Sequence, residues 1–208
     1  MRKRPVLRNV RGTGNVATLE ETWTQVCVPG TPVDLRIQGL TGAGSTYRAG
    51  IVAAAYQEYR ITGLTVTFVP QKDTFVSSAG DTVPNLYYMN DPHNALLNNM
   101  TETSFQSLGC RPIRLDDKII VKTLKPSVIV VAAPAGTGFP SINKYSPWLS
   151  TNAAFTPVTG FSPSTVTHYG AKFLITNTIA GLQPYSVQVK ATFQFRRPLI
   201  PAAVQEQV

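Results

Sequence analysis

Apolar and polar residues alternate with a period of two in several segments of the chain. The clearest of these segments runs from Ser186 to Arg197. Its apolar positions, each separated from the next by one polar residue, are Val187, Val189, Ala191, Phe193 and Phe195. Successive side chains of a β-strand point to opposite faces of the sheet, so this pattern predicts a strand with one buried and one polar face.

A second segment, residues 56–70, reads YQEYRITGLTVTFVP. Tyr56 and Tyr59 are expected at the end of a short apolar helix that leads into a strand. The strand residues expected to face the core are Leu64, Val66 and Phe68. The threonines between them are expected on the opposite face, and Pro70 ends the strand because proline has no amide hydrogen to donate.

Alternation of this kind, together with short apolar runs between turn residues, predicts about eight strands in all. The predicted strands cover residues 19–28, with 33–38 as a short second piece of the first, and residues 59–69, 85–90, 113–124, 128–132, 144–149, 172–179 and 186–197. Sustained helical periodicity is almost absent, and no internal repeat is visible. The predicted fold is therefore all-β, a single eight-stranded antiparallel jelly roll (β-sandwich) with short helical insertions in the loops.

The helical insertions are predicted at two places. Asp91-Pro92 supplies a helix N-cap followed by proline, and the apolar side of that turn is formed by Leu96, Leu97 and Met100. A second turn is predicted over Thr101–Leu108, with Gly109 closing it. The glycine-rich segment 39–50 lacks the Gly-Lys-Ser/Thr ending of a phosphate-binding loop and is expected to be a surface loop.

Length and composition favour one domain with an arm. A chain of 208 residues with 43% hydrophobic content buries one sizeable core, and only 14% of the residues are charged. The predicted division is a basic N-terminal arm at residues 1–15, a jelly-roll domain at residues 16–200 and a C-terminal tail at residues 201–208.

The net charge of +8 is concentrated in the arm. Five bases and no acid fall within the first eleven residues, namely Arg2, Lys3, Arg4, Arg8 and Arg11. Without them, 19 − 5 = 14 bases face 11 acids, which leaves +3. Phosphate contacts gain from counterion release without a shaped pocket, so the arm favours nucleic acid as a partner. The other interpretations are a solvated tail and a nuclear-localisation signal formed by RKRP.

The chain carries few residues suited to catalysis or metal binding. His93 and His168 are its two histidines, and the HExxH, GxSxG and nucleotide-binding signatures are absent, so neither an enzyme nor a cofactor is expected. The adjacent acids Glu20-Glu21 and Asp116-Asp117 point to opposite faces of a strand. They are interpreted as solvated or interface charges, with calcium at a subunit interface as a minor alternative.

The cysteines and apolar runs bear on the cellular setting. Cys27 and Cys110 form no CxxC pair and are expected to be buried or half-buried free thiols. The arm is not followed by the apolar stretch of a secretory signal. The longest apolar run, residues 128–135, is too short to span a bilayer, so no membrane partner is expected.

Several segments, taken in order, carry a resemblance to a known family. They are the basic arm, YQEYRITGLTVTFVP at 56–70, PNLYYMND at 84–91, KTLKPS at 122–127, the aromatic loop around Trp148, and VQVKATFQFRRP at 187–198. Together they resemble the coat proteins of small circular single-stranded DNA viruses of the circovirus kind. The arm is shorter and less rich in arginine than the long arms of circovirus coats.

The resemblance implies a capsid subunit that assembles with about sixty copies of itself into a small icosahedral shell. It implies a single-stranded nucleic acid partner, with DNA favoured over RNA, contacted through the five arm bases. Arg36, Lys190 and Arg196 are candidates for additional contacts. The expected location is the virion, with passage through the nucleus if the host is eukaryotic; the sequence assigns no residues to a host receptor.

Two alternatives stay open at this point. A coat protein of a small RNA or satellite virus would combine the same fold with the same kind of arm. A jelly-roll carbohydrate-binding module would instead use exposed aromatic residues as sugar platforms. The aromatic residues suited to that role are Trp148, Tyr145 and Tyr169.

Overall fold

The computed structural model describes most of the jelly-roll domain. The described residues are 16–28, 30–40, 47–71, 84–91, 99–115, 118–131, 141–145, 147–152, 166–176 and 185–199. They form eleven strands and two short helices. The strands are β1 (Ala17–Gln25), β2 (Val33–Gln38), β3 (Tyr56–Pro70), β4 (Asn85–Asn90), β5 (Ile113–Arg114), β6 (Ile120–Leu124), β7 (Ser127–Val131), β8 (Ser141–Tyr145), β9 (Leu149–Ser150), β10 (Thr167–Thr176) and β11 (Tyr185–Pro198). The helices are α1 (Tyr47–Ala53) and α2 (Glu102–Ser107).

The strands form two antiparallel sheets that face each other. The first sheet has the order β1-β11-β3-β6, with β9 added to β3. The second has the order β5-β4-β10-β2, and the β7–β8 hairpin joins it through β10. Phe68 of the first sheet meets Phe173 of the second edge to face, with ring centroids 5.2 Å apart. The predicted antiparallel jelly roll is confirmed.

The number of strands differs from the prediction, because the described residues contain eleven rather than eight. The first sheet contains five of them and the second contains six. Three of the strands, β7 to β9, lie in the long connection between β6 and β10. There β7 pairs with β8 and β9 pairs with β3, so these short segments satisfy backbone groups that a plain loop would leave to water.

The alternation seen in the sequence decides which side chains enter the core. In β11 the five predicted apolar positions are buried at 0–1% exposure, whereas Gln188 and Arg197 are exposed and the polar positions between them are partly exposed. In β3 the predicted inward residues Leu64, Val66 and Phe68 are all at 0% exposure. The pattern predictions for these two central strands are confirmed.

The segment before the inward residues of β3 is strand and not the end of a helix. β3 begins at Tyr56, and Tyr59 pairs with Phe195 while its ring lies in the core. The helix lies earlier, because α1 occupies residues 47–53 and so takes up the end of the glycine-rich segment predicted as a loop. A Cβ at Gly50 would stand 2.8 Å from the Leu40 carbonyl oxygen, so a glycine lets α1 pack closely there.

Two predicted strands are each divided in two. Residues 113–124 form β5 and β6, which belong to different sheets, and the region around Trp148 forms β8 and β9 with Trp148 between them.

Helix α2 follows the prediction: Thr101 caps it through the Ser104 amide, and Gly109 takes the left-handed conformation (φ 79°) beyond its end. The turn predicted after Asp91-Pro92 lies in residues 92–98, outside the described part. No described helix is long and apolar enough to cross a membrane.

Candidate nucleic-acid interface

The predicted arm precedes the first described residues, which lie at one end of the first sheet. Its five bases, Arg2, Lys3, Arg4, Arg8 and Arg11, lie outside the described residues. The chain enters the described fold at Val16, and β1 begins at Ala17, which pairs with Phe195 near the end of β11. The arm therefore joins the body beside Arg196 and Arg197.

The outer face of the first sheet, which points away from the core, is polar and largely uncovered by the described residues. Its side chains, none of them buried, include Thr18, Thr22, Thr24, Thr62, Thr65, Thr67, Thr123, Gln188, Lys190, Thr192 and Gln194. The helices pack elsewhere, since the buried alanines of α1 join the core and α2 packs against β4. Apart from Val121, which pairs with Thr67 at one end, this face presents mainly hydroxyl and amide groups.

Three arginines and one tryptophan gather on this face near the root of the arm, and we call them the arginine cluster: Arg60, Arg196, Arg197 and Trp148. The guanidinium carbons of Arg60 and Arg196 lie over the Trp148 ring, 4.4 and 4.2 Å from its centroid. Arg60 also donates two hydrogen bonds to Gln194 Oε1, at 2.9 Å from Nε and 2.8 Å from Nη2. These contacts fix the planes of the guanidinium groups.

One carboxylate, that of Glu58, serves two of these arginines. Arg196 Nε donates to Glu58 Oε2, and Arg197 Nη1 donates to Glu58 Oε1 at 3.1 Å. Adjacent residues of a regular strand point to opposite faces, so they would not share one partner. Arg197 does so because its φ of 57° is left-handed and turns its side chain back toward Glu58.

The local pairing explains how these residues meet. Arg196 is opposite Glu58 and Gln194 is opposite Arg60 in the β3–β11 ladder. On the other edge of β3, β9 pairs Tyr59 with Leu149, which brings the preceding Trp148 level with Arg60. Sequence reasoning named Trp148 and Arg196 separately and missed Arg60 and Arg197, because none of these contacts has a local sequence signal.

The other two bases named from the sequence lie apart from the cluster. Lys190 is on the outer face and pairs with Glu20 at 3.3 Å, with 42% of its side chain exposed. Arg36 belongs to β2 in the second sheet, where it pairs with Asp34 and lies 5.5 Å from the Tyr169 ring centroid. The structure therefore does not join Arg36 with Lys190 and Arg196 in one surface.

A buried ion cluster in the second sheet was also missed from the sequence. Lys172 is 1% exposed, and its Nζ lies 3.6 Å from Asp34 Oδ2 and 3.7 Å from Asp91 Oδ2. A buried ammonium needs such partners because desolvation strongly penalises an isolated charge. No local pattern predicts this cluster, since Lys172 stands in a strand beside apolar residues, Asp34 belongs to β2 and Asp91 follows the end of β4.

Glu21 has a role different from the predicted solvated or interface charge. It is 6% exposed and accepts hydrogen bonds from the amides of Arg48 (3.0 Å) and Ala49 (3.1 Å) in the first turn of α1. A carboxylate at this end of a helix satisfies amides that have no partner within the helix. Its neighbour Glu20 is exposed, as predicted, and Asp116-Asp117 lies outside the described residues.

The two cysteines and the described histidine of the body are buried or half-buried. Cys27 is a buried free thiol whose pKa burial raises to about 11, and Cys110 is a half-buried free thiol, as predicted. His168 is buried, and the loss of solvation lowers its pKa to about 4. Within the described ranges, no group of three or more His, Cys, Asp or Glu side chains is arranged to hold a metal ion.

Burial of His168 makes the stability of the body depend on pH. The folded protein keeps His168 neutral between about pH 6.5 and 4, whereas the unfolded chain takes up a proton there. The free energy of unfolding should therefore fall by about 1 kcal/mol per pH unit as the pH drops through this range. Urea unfolding of wild type and His168→Asn, from pH 7 to 4.5, checks this: the variant should show a slope smaller by that amount. Equal slopes would contradict the assignment.

The aromatic residues proposed as sugar platforms do not form one surface. Trp148 lies on the first sheet beneath two guanidinium groups, and Tyr169 lies on β10 of the second sheet beside Arg36. The side chain of Tyr145 lies outside the described part. A sugar platform needs an open ring face, so this arrangement does not favour the carbohydrate-binding alternative.

Comparisons with known proteins agree with the fold. Residues 2–199 match the family model described as circovirus capsid protein. The chain is similar to the crystal structure of the 60-mer BFDV capsid protein, with a TM-score of 0.56, 14% identity, and coverage of 92% of this chain and 99% of that one.

Two further solved structures show the same two-sheet fold. The first, the cryo-EM structure of a semi-empty particle of the giant freshwater prawn Macrobrachium rosenbergii nodavirus, has a TM-score of 0.50 and 14% identity, covering 92% of this chain and 98% of that one. For the X-ray structure of Melon necrotic spot virus, the TM-score is 0.51, the identity is 12%, and coverage is 96% of this chain and 54% of that one. No curated protein matches the chain.

Proposed function

The chain belongs to the circovirus capsid protein family, and on this premise we propose that it assembles with copies of itself into a small icosahedral shell and packages a single-stranded DNA genome through its basic arm. The observation that carries the proposal is the family match over residues 2–199, which includes both the arm and the two-sheet body. A capsid protein is a structural component of the virion and not an enzyme, as the sequence predicts.

An apolar end of the sandwich supports assembly. At this end, four exposed apolar side chains come from the β1–β2 connection, from the edge strand β6 and from the residue just before β6. They are Val26, Val28, Ile119 and Val121, at 55–70% exposure. The register places them at one end, because Gln25 is level with Val187, Phe68 and Ile120 across the sheet. Contacts with a second copy would remove this apolar surface from water.

The arm supports nucleic acid packaging. Five bases without an acid make it a phosphate-binding segment that needs no fixed structure. In a shell of sixty copies, such as that of the BFDV relative, the arms would bring about 300 positive charges to the genome. The resemblance to coats of small circular single-stranded DNA viruses favours DNA, and a coat of an RNA virus is the alternative.

Neutralising the arm is expected to empty the particles. In the variant with Arg2→Gln, Lys3→Gln, Arg4→Gln, Arg8→Gln and Arg11→Gln, particles should sediment with the 260/280 nm absorbance ratio of protein alone. The slope of the logarithm of the binding constant for single-stranded nucleic acid against the logarithm of the salt concentration should decrease in magnitude by about 3.5, at 0.7 for each lost phosphate contact. The body should stay folded, because the substitutions lie outside it.

The matched control replaces the four arm arginines with lysine, which keeps the charge. This variant should package as much nucleic acid as wild type, since counterion release depends on charge more than on side-chain shape. Equal nucleic acid content in the glutamine variant and wild type would contradict the arm's role. Digestion of the packaged strand by DNase but not RNase would support DNA, and the reverse would support the RNA alternative.

We further propose that the chain enters the nucleus of a eukaryotic host. The basic run RKRP at residues 2–5 has the composition of a nuclear-localisation signal, and this role is compatible with later phosphate binding. The glutamine variant described above should remain in the cytoplasm when fused to a fluorescent protein. Nuclear accumulation of that variant would contradict this role of the arm.

A further inference from the structure

We propose that the arginine cluster is a second phosphate-binding site, which receives the backbone of the packaged single strand and marks the outer face of the first sheet as the face toward the genome. This inference rests on the proposed packaging function. It concerns folded residues of the body, where the packaging proposal concerned the arm.

The first argument is the unbalanced charge of the cluster. Arg60, Arg196 and Arg197 bring three positive charges, and Glu58 brings one negative charge, which leaves +2. Glu58 is already engaged by two of the arginines. Within the described ranges, Arg60 has an amide oxygen and an indole ring as partners but no carboxylate within ion-pair distance. The cluster is therefore suited to an anion supplied from outside the subunit.

The second argument is that contacts within the subunit already orient the arginine side chains of the cluster for binding a phosphate. Arg60 and Arg196 lie over Trp148, which orients their planar groups while leaving N–H edges to donate. Arg197 is 64% exposed and is held in a left-handed conformation that a non-glycine residue adopts at some cost in energy. Phosphate oxygens accept hydrogen bonds from such guanidinium edges in pairs.

The third argument is continuity with the arm. Ala17 pairs with Phe195, so the arm leaves the sheet beside the backbone of Arg196, one strand spacing of about 5 Å away. A single-stranded nucleic acid bound by the arm thus reaches the arginine cluster without crossing the sandwich. Beyond the cluster, the outer face offers threonine and glutamine side chains, which donate to phosphate and sugar oxygens and do not select a base sequence.

The test measures salt dependence with the full-length protein at low concentration and a labelled 20-nucleotide oligothymidylate. In the Arg60→Gln, Arg197→Gln variant, the logarithmic salt slope should fall by about 1.4, the value for two phosphate contacts. The matched control is Arg111→Gln, Arg114→Gln, which removes the same charge from exposed positions in β5 of the second sheet and two residues before it. That control should leave the slope unchanged, and Arg60→Lys, Arg197→Lys should keep the wild-type slope.

A second readout reports contact at the site itself. In the Trp23→Phe variant, Trp148 is the remaining tryptophan, so it alone contributes tryptophan fluorescence. Binding of the oligonucleotide should change that fluorescence. An unchanged slope in the glutamine variant, an equal loss in the β5 control, or loss of assembly with normal binding would each overturn the inference. In all three cases the packaging proposal would stand. Absence of binding by wild type would instead overturn the packaging proposal.

Discussion

Protein carrying Val26→Asp and Val28→Asp is expected to remain a small species and to form no shells. Both valines are exposed in the subunit, at 70% and 57%, and lie at the apolar end of the sandwich. Burial of two carboxylates without partners at a contact between copies would weaken that contact by about 4 kcal/mol or more, roughly a thousandfold in its association constant. Because the contact repeats throughout a shell, assembly should fail completely. Sedimentation and electron microscopy check this outcome.

The control for this prediction separates assembly from folding. Substitutions at exposed positions usually change the free energy of unfolding by less than about 0.5 kcal/mol, so the aspartate variant should unfold in urea like the wild-type subunit. Val26→Ile with Val28→Ile keeps the apolar surface and should assemble. Shells of normal size from the aspartate variant would show that this end of the sandwich does not carry a contact between copies.

Lys172→Met is expected to destabilise the body by about 3–5 kcal/mol, the usual effect of removing one member of a buried ion pair. The substitution leaves the buried Asp91 carboxylate without the ammonium 3.7 Å away, and Asp34 loses the same neighbour. The cost therefore comes from the loss of a positive charge beside two carboxylates rather than from lost packing, since methionine fills a similar volume. Urea unfolding at neutral pH measures the loss.

Two further variants identify the cause. Adding Asp91→Asn to Lys172→Met should recover part of the stability, because the amide carries no charge that needs a partner. Lys190→Met makes the same chemical change at an exposed pair with Glu20 and should cost less than about 1 kcal/mol. An equal effect of the two lysine substitutions would show that burial of Lys172 does not govern its contribution.

The structure of the central strands was predictable because it depends on local order along the chain. The alternation in residues 187–195 determines which side chains of β11 are buried, whatever its neighbours are. The same holds for β3 from Leu64 to Phe68. The helix expected at Tyr56 was wrong because short apolar patterns fit a helix or a strand, and pairing with β11 and β9 selected the strand.

The sequence by itself determined the two-sheet class, the inward faces of the main strands, and the concentration of positive charge in the first eleven residues. Only the tertiary structure decided which charged residues meet. Glu21 caps α1, Lys172 lies near Asp34 of β2 and Asp91 just after β4, and Trp148 joins arginines from β3 and β11. Such contacts join residues far apart in the chain, so their positions follow from sheet register and not from any local pattern.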